Sequence, residues 1–308
     1  NNWVFNSKMS LDSSVLYEDS QISQSGEISK ERNYDYVKPK LDFRYDLTPT
    51  IQLRGTMEKI VQQLSFNDFV AALDRNDEDR DVQFGNDNLK QEWYWNYEFN
   101  AEYRLPNDIG VASARVFYED WTDRIERIDV SPSKENLQGA SGNVGDGEKY
   151  GLELNSSTRM RMIGLPNLLI NASVSVEDSR ITDPFLGIDR RFSFSWRGRQ
   201  TLSFRHDIPS KRMNWGVRYS NSQDGNRKFY DLIDIEVWDS DPFVTAFFEW
   251  RSPDNTTVRF EANQLGSWEF CRKRFRYNGG IAEGYLAELE RNCNHRGATL
   301  SLRVTGTF

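Results

Sequence analysis

The sequence predicts an all-β protein, an antiparallel transmembrane β-barrel of about twelve strands, on three observations. Apolar and polar residues alternate strictly through many segments. The alternating segments run to about nine to eleven residues, the length a tilted strand needs to cross a bilayer rather than the five or six common in globular sheets. Short turns and long polar connections also alternate along the chain, as they do where a barrel keeps short turns on one side of a membrane and long loops on the other.

Each hairpin is legible by its period of two. Leu41, Phe43, Tyr45 and Leu47 interleave with Asp42, Arg44 and Asp46; after Thr48-Pro49-Thr50 the pattern resumes with Ile51, Leu53, Gly55 and Met57. Trp95, Tyr97, Phe99, Ala101, Tyr103 and Leu105 oppose Asn96, Glu98, Asn100, Glu102 and Arg104, and Ala112, Ala114, Val116 and Tyr118 follow. Further pairs are Leu152/Leu154 with Ile170 to Val176, Leu202/Phe204 with Trp215 to Tyr219, and Ala246 to Trp250 with Val258 to Ala262. A strand from Leu11 to Tyr17 and a terminal one complete the set. Pro49, Pro106, Pro166, Pro209 and Pro253 fall in the short turns, where a fixed φ helps reverse the chain. Pro39 lies inside a strand, where its missing donor predicts a bulge or interrupted pairing.

The long connections are expected near 18–34, 62–91, 121–148, 178–200, 221–242 and 264–296. Within the second, "SFNDFVAAL" reads as a short helix and "DRNDEDRD" as a solvated loop of mixed sign. Tyr17, Tyr45, Tyr103, Tyr118, Tyr219 and Trp250 sit near strand ends, as interfacial aromatics do.

Composition limits the function. The 308 residues carry 39 Lys+Arg against 47 Asp+Glu, a net charge of −8, which argues against nucleic-acid binding. Mean hydropathy is −0.73 and no apolar run reaches the roughly 18 residues of a membrane helix, a filter that barrels escape because only every second residue meets lipid. Nine Trp, 13 Tyr and 19 Phe exceed what one compact core needs in so polar a chain. The opening "NNWVFNSKMSLD" has no basic n-region or apolar h-region. No Gly/Ser or Pro-rich linker divides the chain, so residues 1–308 are expected to form a single barrel domain. With His206 and His295 as the only histidines and no Gly-x-Ser-x-Gly, no hydrolytic constellation is present, and neither a catalytic residue nor a cofactor is assigned.

The final "GATLSLRVTGTF" alternates Leu300, Leu302, Val304, Gly306 and Phe308 with Ser301, Arg303, Thr305 and Thr307 and stops on an aromatic. With it go "FGNDNLKQEWYWNYEFNAEY" (84–103), "GEKYGLEL" (147–154) and "ITDPFLGIDRRFSFSWRGRQTLSF" (181–204). In this order the four stretches resemble the carboxyl-terminal half of the barrel of TonB-dependent outer-membrane receptors. The resemblance implies a 22-stranded barrel of which this chain supplies about the last twelve strands, with closure of this piece on itself as a smaller barrel the alternative. The plug domain and the box that contacts the energy-transducing partner are not visible here. It further implies a bacterial outer-membrane location, contact with lipid and lipopolysaccharide, folding by the barrel assembly machinery that reads Phe308, and uptake of a scarce small-molecule ligand such as a ferric siderophore. Energy would come from the TonB complex through the plug. A passive porin and a soluble β-sandwich binding module remain alternatives.

Candidate ligand contacts are the loop aromatics Trp93, Tyr94, Phe185, Trp238 and Trp268, because rigid aromatics make good anchors. Arg190, Arg191, Arg197 and Arg199 admit two readings: attraction of an anionic ligand, or pairing with carboxylates and lipopolysaccharide phosphates. "CRKRFR" (271–276) admits the same two. Cys271 and Cys293, both in the last long loop, are expected to form a disulfide in an exported protein; free thiols or, with His295, a metal pair one ligand short of a structural zinc set are the alternatives, and no metal is assigned.

Overall fold

The computed structural model describes residues 1–24, 30–64, 72–73, 82–83, 85–86, 88–223, 227–266 and 268–306. Thirteen strands follow one another in a continuous antiparallel wall. They are Asn2–Asn6, Met9–Gln24, Lys30–Asp46, Ile51–Val61, Trp93–Arg104, Gly110–Thr122, Gly147–Met160, Leu165–Thr182, Gly198–Ile208, Met213–Gln223, Phe243–Arg251, Thr257–Asn263 and Thr299–Thr305. Asp189–Arg190 pairs to the side of Leu165–Thr182. The additional strand relative to the sequence reading is Asn2–Asn6, which turns at Ser7-Lys8 into Met9. It and Thr299–Thr305 are the two ends of the path, each paired on one side among the described residues.

The wall separates its two faces as the period demands. On one, Phe99 is 50% exposed, Val116 53% and Leu202 54%, with no second sheet against them among the described residues. A sandwich would have buried these side chains; a lipid-facing wall leaves them open to its solvent, the bilayer. Tyr97, Tyr118 and Tyr150 stand in register across three strands toward the long-loop end, whereas Tyr45, Tyr103 and Trp250 lie toward the short turns. The other face carries charge ladders: Arg115 bridges Glu98 at 2.8 Å and Glu153 at 3.2 Å, Lys40 meets Glu58 at 3.1 Å, and Arg259 meets Glu249 at 3.3 Å and Glu261 at 3.1 Å. Partly solvated pairs of this kind contribute at most about 1 kcal/mol each. No helix among the described residues is long and apolar enough to cross a membrane, which leaves crossing by strands untouched.

Glycines admit aromatic rings to the polar face. A Cβ on Gly151 would lie 2.6 Å from the Phe117 ring and 2.7 Å from the Val176 carbonyl oxygen, so the buried Phe117 packs where no side chain fits.

Several expectations need correction. Residues 18–34 are not a long loop: Met9–Gln24 and Lys30–Asp46 pair residue for residue far past the apolar stretch. Pro39 causes no bulge on that side, pairing in register with Val15; the ladder to Ile51–Val61 instead stops at Lys40, one residue short of the missing donor. Pro166 lies inside Leu165–Thr182, after a turn closed by Gly164 at φ 78°. Ala72–Leu73, the end of the expected helix, is a strand paired with Val82–Gln83. The rest of that segment, the acidic run 74–81 and Phe308 lie outside the described residues.

Candidate functional site

At the long-loop end the described parts of the connections fold into a roof of sheets. Ile125–Asp129 pairs with Gly139–Asn143. Arg227–Tyr230, Asp234–Ser240, Trp268–Asn278 and Tyr285–Arg296 form a four-stranded sheet drawn from two successive loops.

Polar side chains stitch this roof to the wall. Glu92, just ahead of Trp93–Arg104, accepts from Arg124 Nη1 and the Ile125 N–H, both at 2.7 Å. Burial pushes the Glu92 carboxyl above its ordinary range, with Arg124 opposing. Asn143 accepts from the Lys90 N–H at 2.8 Å and donates to the carbonyls of Lys90 and Asp123. Asn86 donates to the Ser141 carbonyl and Leu89 is fully buried. The Gly-Asn-x-Asn-Leu-Lys-x-Glu stretch is thus a clamp between a loop and the wall.

Arg190 occupies the centre. It donates to Asp183 and, at 3.2 Å, to Glu126, and its guanidinium lies 4.4 Å from the Tyr230 ring centre. Asp183 also accepts from the N–H groups of Phe185 and Leu186, and Glu126 from that of Ser193. Arg127 pairs with Asp231 at 2.8 Å. Beneath them Trp121, Ile181 and Phe192 form a small buried core against Tyr94 and Val144.

The predicted contact residues disperse over this architecture. Trp93 lies on the apolar face with Trp95 and Tyr97, and Lys59 Nζ stands 3.8 Å over its ring. Tyr94, on the opposite face, stacks on Trp121 at 4.1 Å. Phe185 is half-buried in the turn built on Asp183. Arg191 pairs with Asp178 at 3.2 Å. Trp238 and Trp268 belong to one aromatic run in the four-stranded sheet: Phe194 to Trp238 at 6.3 Å, Trp238 to Phe270 at 5.6 Å, Phe270 to Trp268 at 6.0 Å. Sequence reasoning missed Glu126, Asp183 and Trp196. Asp183 alone left a local trace, as an Asp-Pro pair suited to an Asx turn.

Cys271 and Cys293 oppose each other in the ladder and are joined in a disulfide. Glu269 lies close to both sulfurs, a grouping with metal-ligand chemistry only were the thiols free. Of the wall's hollows, grooves of about 490 and 470 Å³ open on the apolar face, beside Phe99 and beside Ala112, where lipid chains rather than polar ligands would sit.

A wall with one apolar and one charged face, whose described loop residues are joined into sheets at one end, is the arrangement that a strand-built membrane wall requires. Residues 1–270 match the family described as TonB dependent receptor-like, beta-barrel, and the chain belongs to it. Comparison with curated proteins finds no match. The family consists of bacterial outer-membrane transporters rather than enzymes.

Proposed function

We propose that the protein takes up a scarce nutrient, a ferric siderophore or a compound of similar size, across the outer membrane with energy from the TonB complex. The carrying observation is the roof: long loops tied by buried ion pairs into a fixed surface above a polar wall, as a receptor that must recognise its ligand requires. A passive pore has no need of such a surface. The thirteen strands are read as part of a 22-stranded barrel, because edges such as Thr299–Thr305, paired on one side only among the described residues, cannot face hydrocarbon. Coupling then runs through a plug domain in the lumen. Lipopolysaccharide surrounds the outer rim, and Phe308 is read by the assembly machinery. Phe185, Arg191, Trp238 and Trp268 on the roof are the proposed ligand contacts, on a surface that Arg190 holds together through Asp183 and Glu126, with Trp93 and Tyr94 in the wall strand below.

Growth of a deletion strain on limiting iron and on limiting carbon sources tests this reading. A defect restored by the intact gene but not by a variant unable to engage TonB supports it; unchanged growth and uptake on every source overturns it.

A further inference from the structure

Arg124, Arg127, Arg190, Arg272 and Arg274 in the roof each face a carboxylate. Arg227 does not. Its Nε is closed off from solvent with no hydrogen-bond partner among the described residues, and its guanidinium lies 4.1 Å from the centre of the Trp196 ring. Arg199 approaches the same ring at 5.7 Å. Directly across the ladder from Arg227 stands Trp238, whose indole N–H is likewise buried without an acceptor. Burial, and after it the charge of Arg199, lowers the Arg227 proton affinity, and no acidic group among the described residues offsets either effect.

Two cations and an indole donor converge here with no acceptor among the described residues, in a chain that carries eight more acids than bases. Unpaired buried donors cost stability, so such a cluster persists where something outside the chain completes it. The backbone bears strain at the same place: Phe194 holds φ at 59°, a region hostile to bulky residues, while its ring stacks on Phe229 at 4.9 Å.

We propose that Arg199, Arg227 and Trp238, with Trp196 as the platform that orients the guanidinium, form a subsite for an oxyanion group of the transported ligand, a carboxylate or phosphate. A planar guanidinium matches both geometries, and an indole N–H adds a donor without charge. Arg199 pairs with Ser175 and Ser222 on the polar face, opposite in alternation to Leu202, so the subsite opens away from the bilayer and a lipid headgroup is not its occupant. The assignment rests on the uptake reading and narrows its substrate class to anionic compounds.

The test is titration of the complete protein in detergent with inorganic phosphate and with citrate, at ionic strength held constant with sodium chloride, followed by calorimetry and tryptophan fluorescence. Saturable binding of at least one anion is expected, weakened tenfold or more by Arg227→Gln and at least threefold by Trp238→Phe, which keeps the ring and removes the donor. Arg161→Gln, in a short turn at the other end of the wall, should bind as the parent does. Should Arg227→Gln fail to fold, Arg199→Gln and Trp238→Phe carry the decision. Equal affinity in parent and folded variants, or a signal that chloride reproduces, overturns the subsite. Anion binding with no uptake phenotype in the deletion strain would sink transport and leave the subsite standing, whereas uptake without anion binding would do the reverse.

Discussion

Glu126 Oε2 lies 3.2 Å from Arg190 Nη2, and both side chains are almost wholly withdrawn from solvent although 64 residues separate them in the chain. This contact, with Asp183 on the other side of the guanidinium, joins two loops of the roof into one body. Removing one member of a buried pair leaves an uncompensated charge and costs about 3–5 kcal/mol. Glu126→Ala should therefore open the roof to limited proteolysis while the wall still resists detergent unfolding. Adding Arg190→Met should restore part of the resistance, and a double variant nicked faster than either single would refute the pairing.

Gly151 meets the Phe117 ring and the Val176 carbonyl, so even one methyl has no room. Overpacking of this kind costs about 1–3 kcal/mol. Gly151→Ala should lower the temperature at which the barrel loses its compact mobility in detergent gels. Gly55→Ala, with nothing within 4 Å of the added carbon, should leave that temperature unchanged.

The fold was largely legible because its governing period is local: Leu41 and Phe43 against Asp42 and Arg44 state the two faces within four residues. The extension of Met9–Gln24 along Lys30–Asp46 was hidden, since beyond the hydrocarbon a strand no longer needs apolar residues at alternate positions. The roof was hidden for a different reason. Arg190 reads equally as ligand contact or structural pair until Glu126 is brought beside it, and no spacing rule encodes a partner that distant. Trp93 could have been placed from sequence, as it shares its parity with Trp95 and Tyr97 on the apolar face.

Asp234 gives the four-stranded sheet a pH dependence. Burial raises its carboxyl from 3.8 to about 6, with Arg274 opposing the rise. The folded state therefore binds the proton more tightly than the unfolded one, and the sheet gains stability below the unfolded value that it loses as pH rises through about 6. Two units correspond to about 3 kcal/mol. Hydrogen exchange of Asp234–Ser240, corrected for intrinsic rates, should show greater protection at pH 4.5 than at pH 7.5. The opposite order would mean that the Arg274 pair outweighs the burial.

The disulfide closes a 22-residue separation, worth about 3 kcal/mol on the chain-entropy account. Tyr285–Arg296 is exposed along nearly its whole length, so little else holds that strand down. Mild reduction, or Cys271→Ser with Cys293→Ser, should speed proteolysis within 285–296 and spare the wall. An unchanged cleavage rate would show that the ladder to Trp268–Asn278 suffices alone.

Val174 and Ser173 provide the sharpest test of which solvent each face meets. Val174 projects between Leu154 and Gln200 on the apolar side, and an arginine there should cost about 2–4 kcal/mol if that side lies against mid-bilayer hydrocarbon. Ser173, one residue earlier, borders a hollow of about 210 Å³ on the polar face, with space and water for a guanidinium. Unfolding by guanidinium chloride in lipid vesicles should place Val174→Arg well below the parent and Ser173→Arg within about 1 kcal/mol of it. Equal losses at the two positions would mean that alternation does not separate lipid from water here, and the membrane wall would have to be given up.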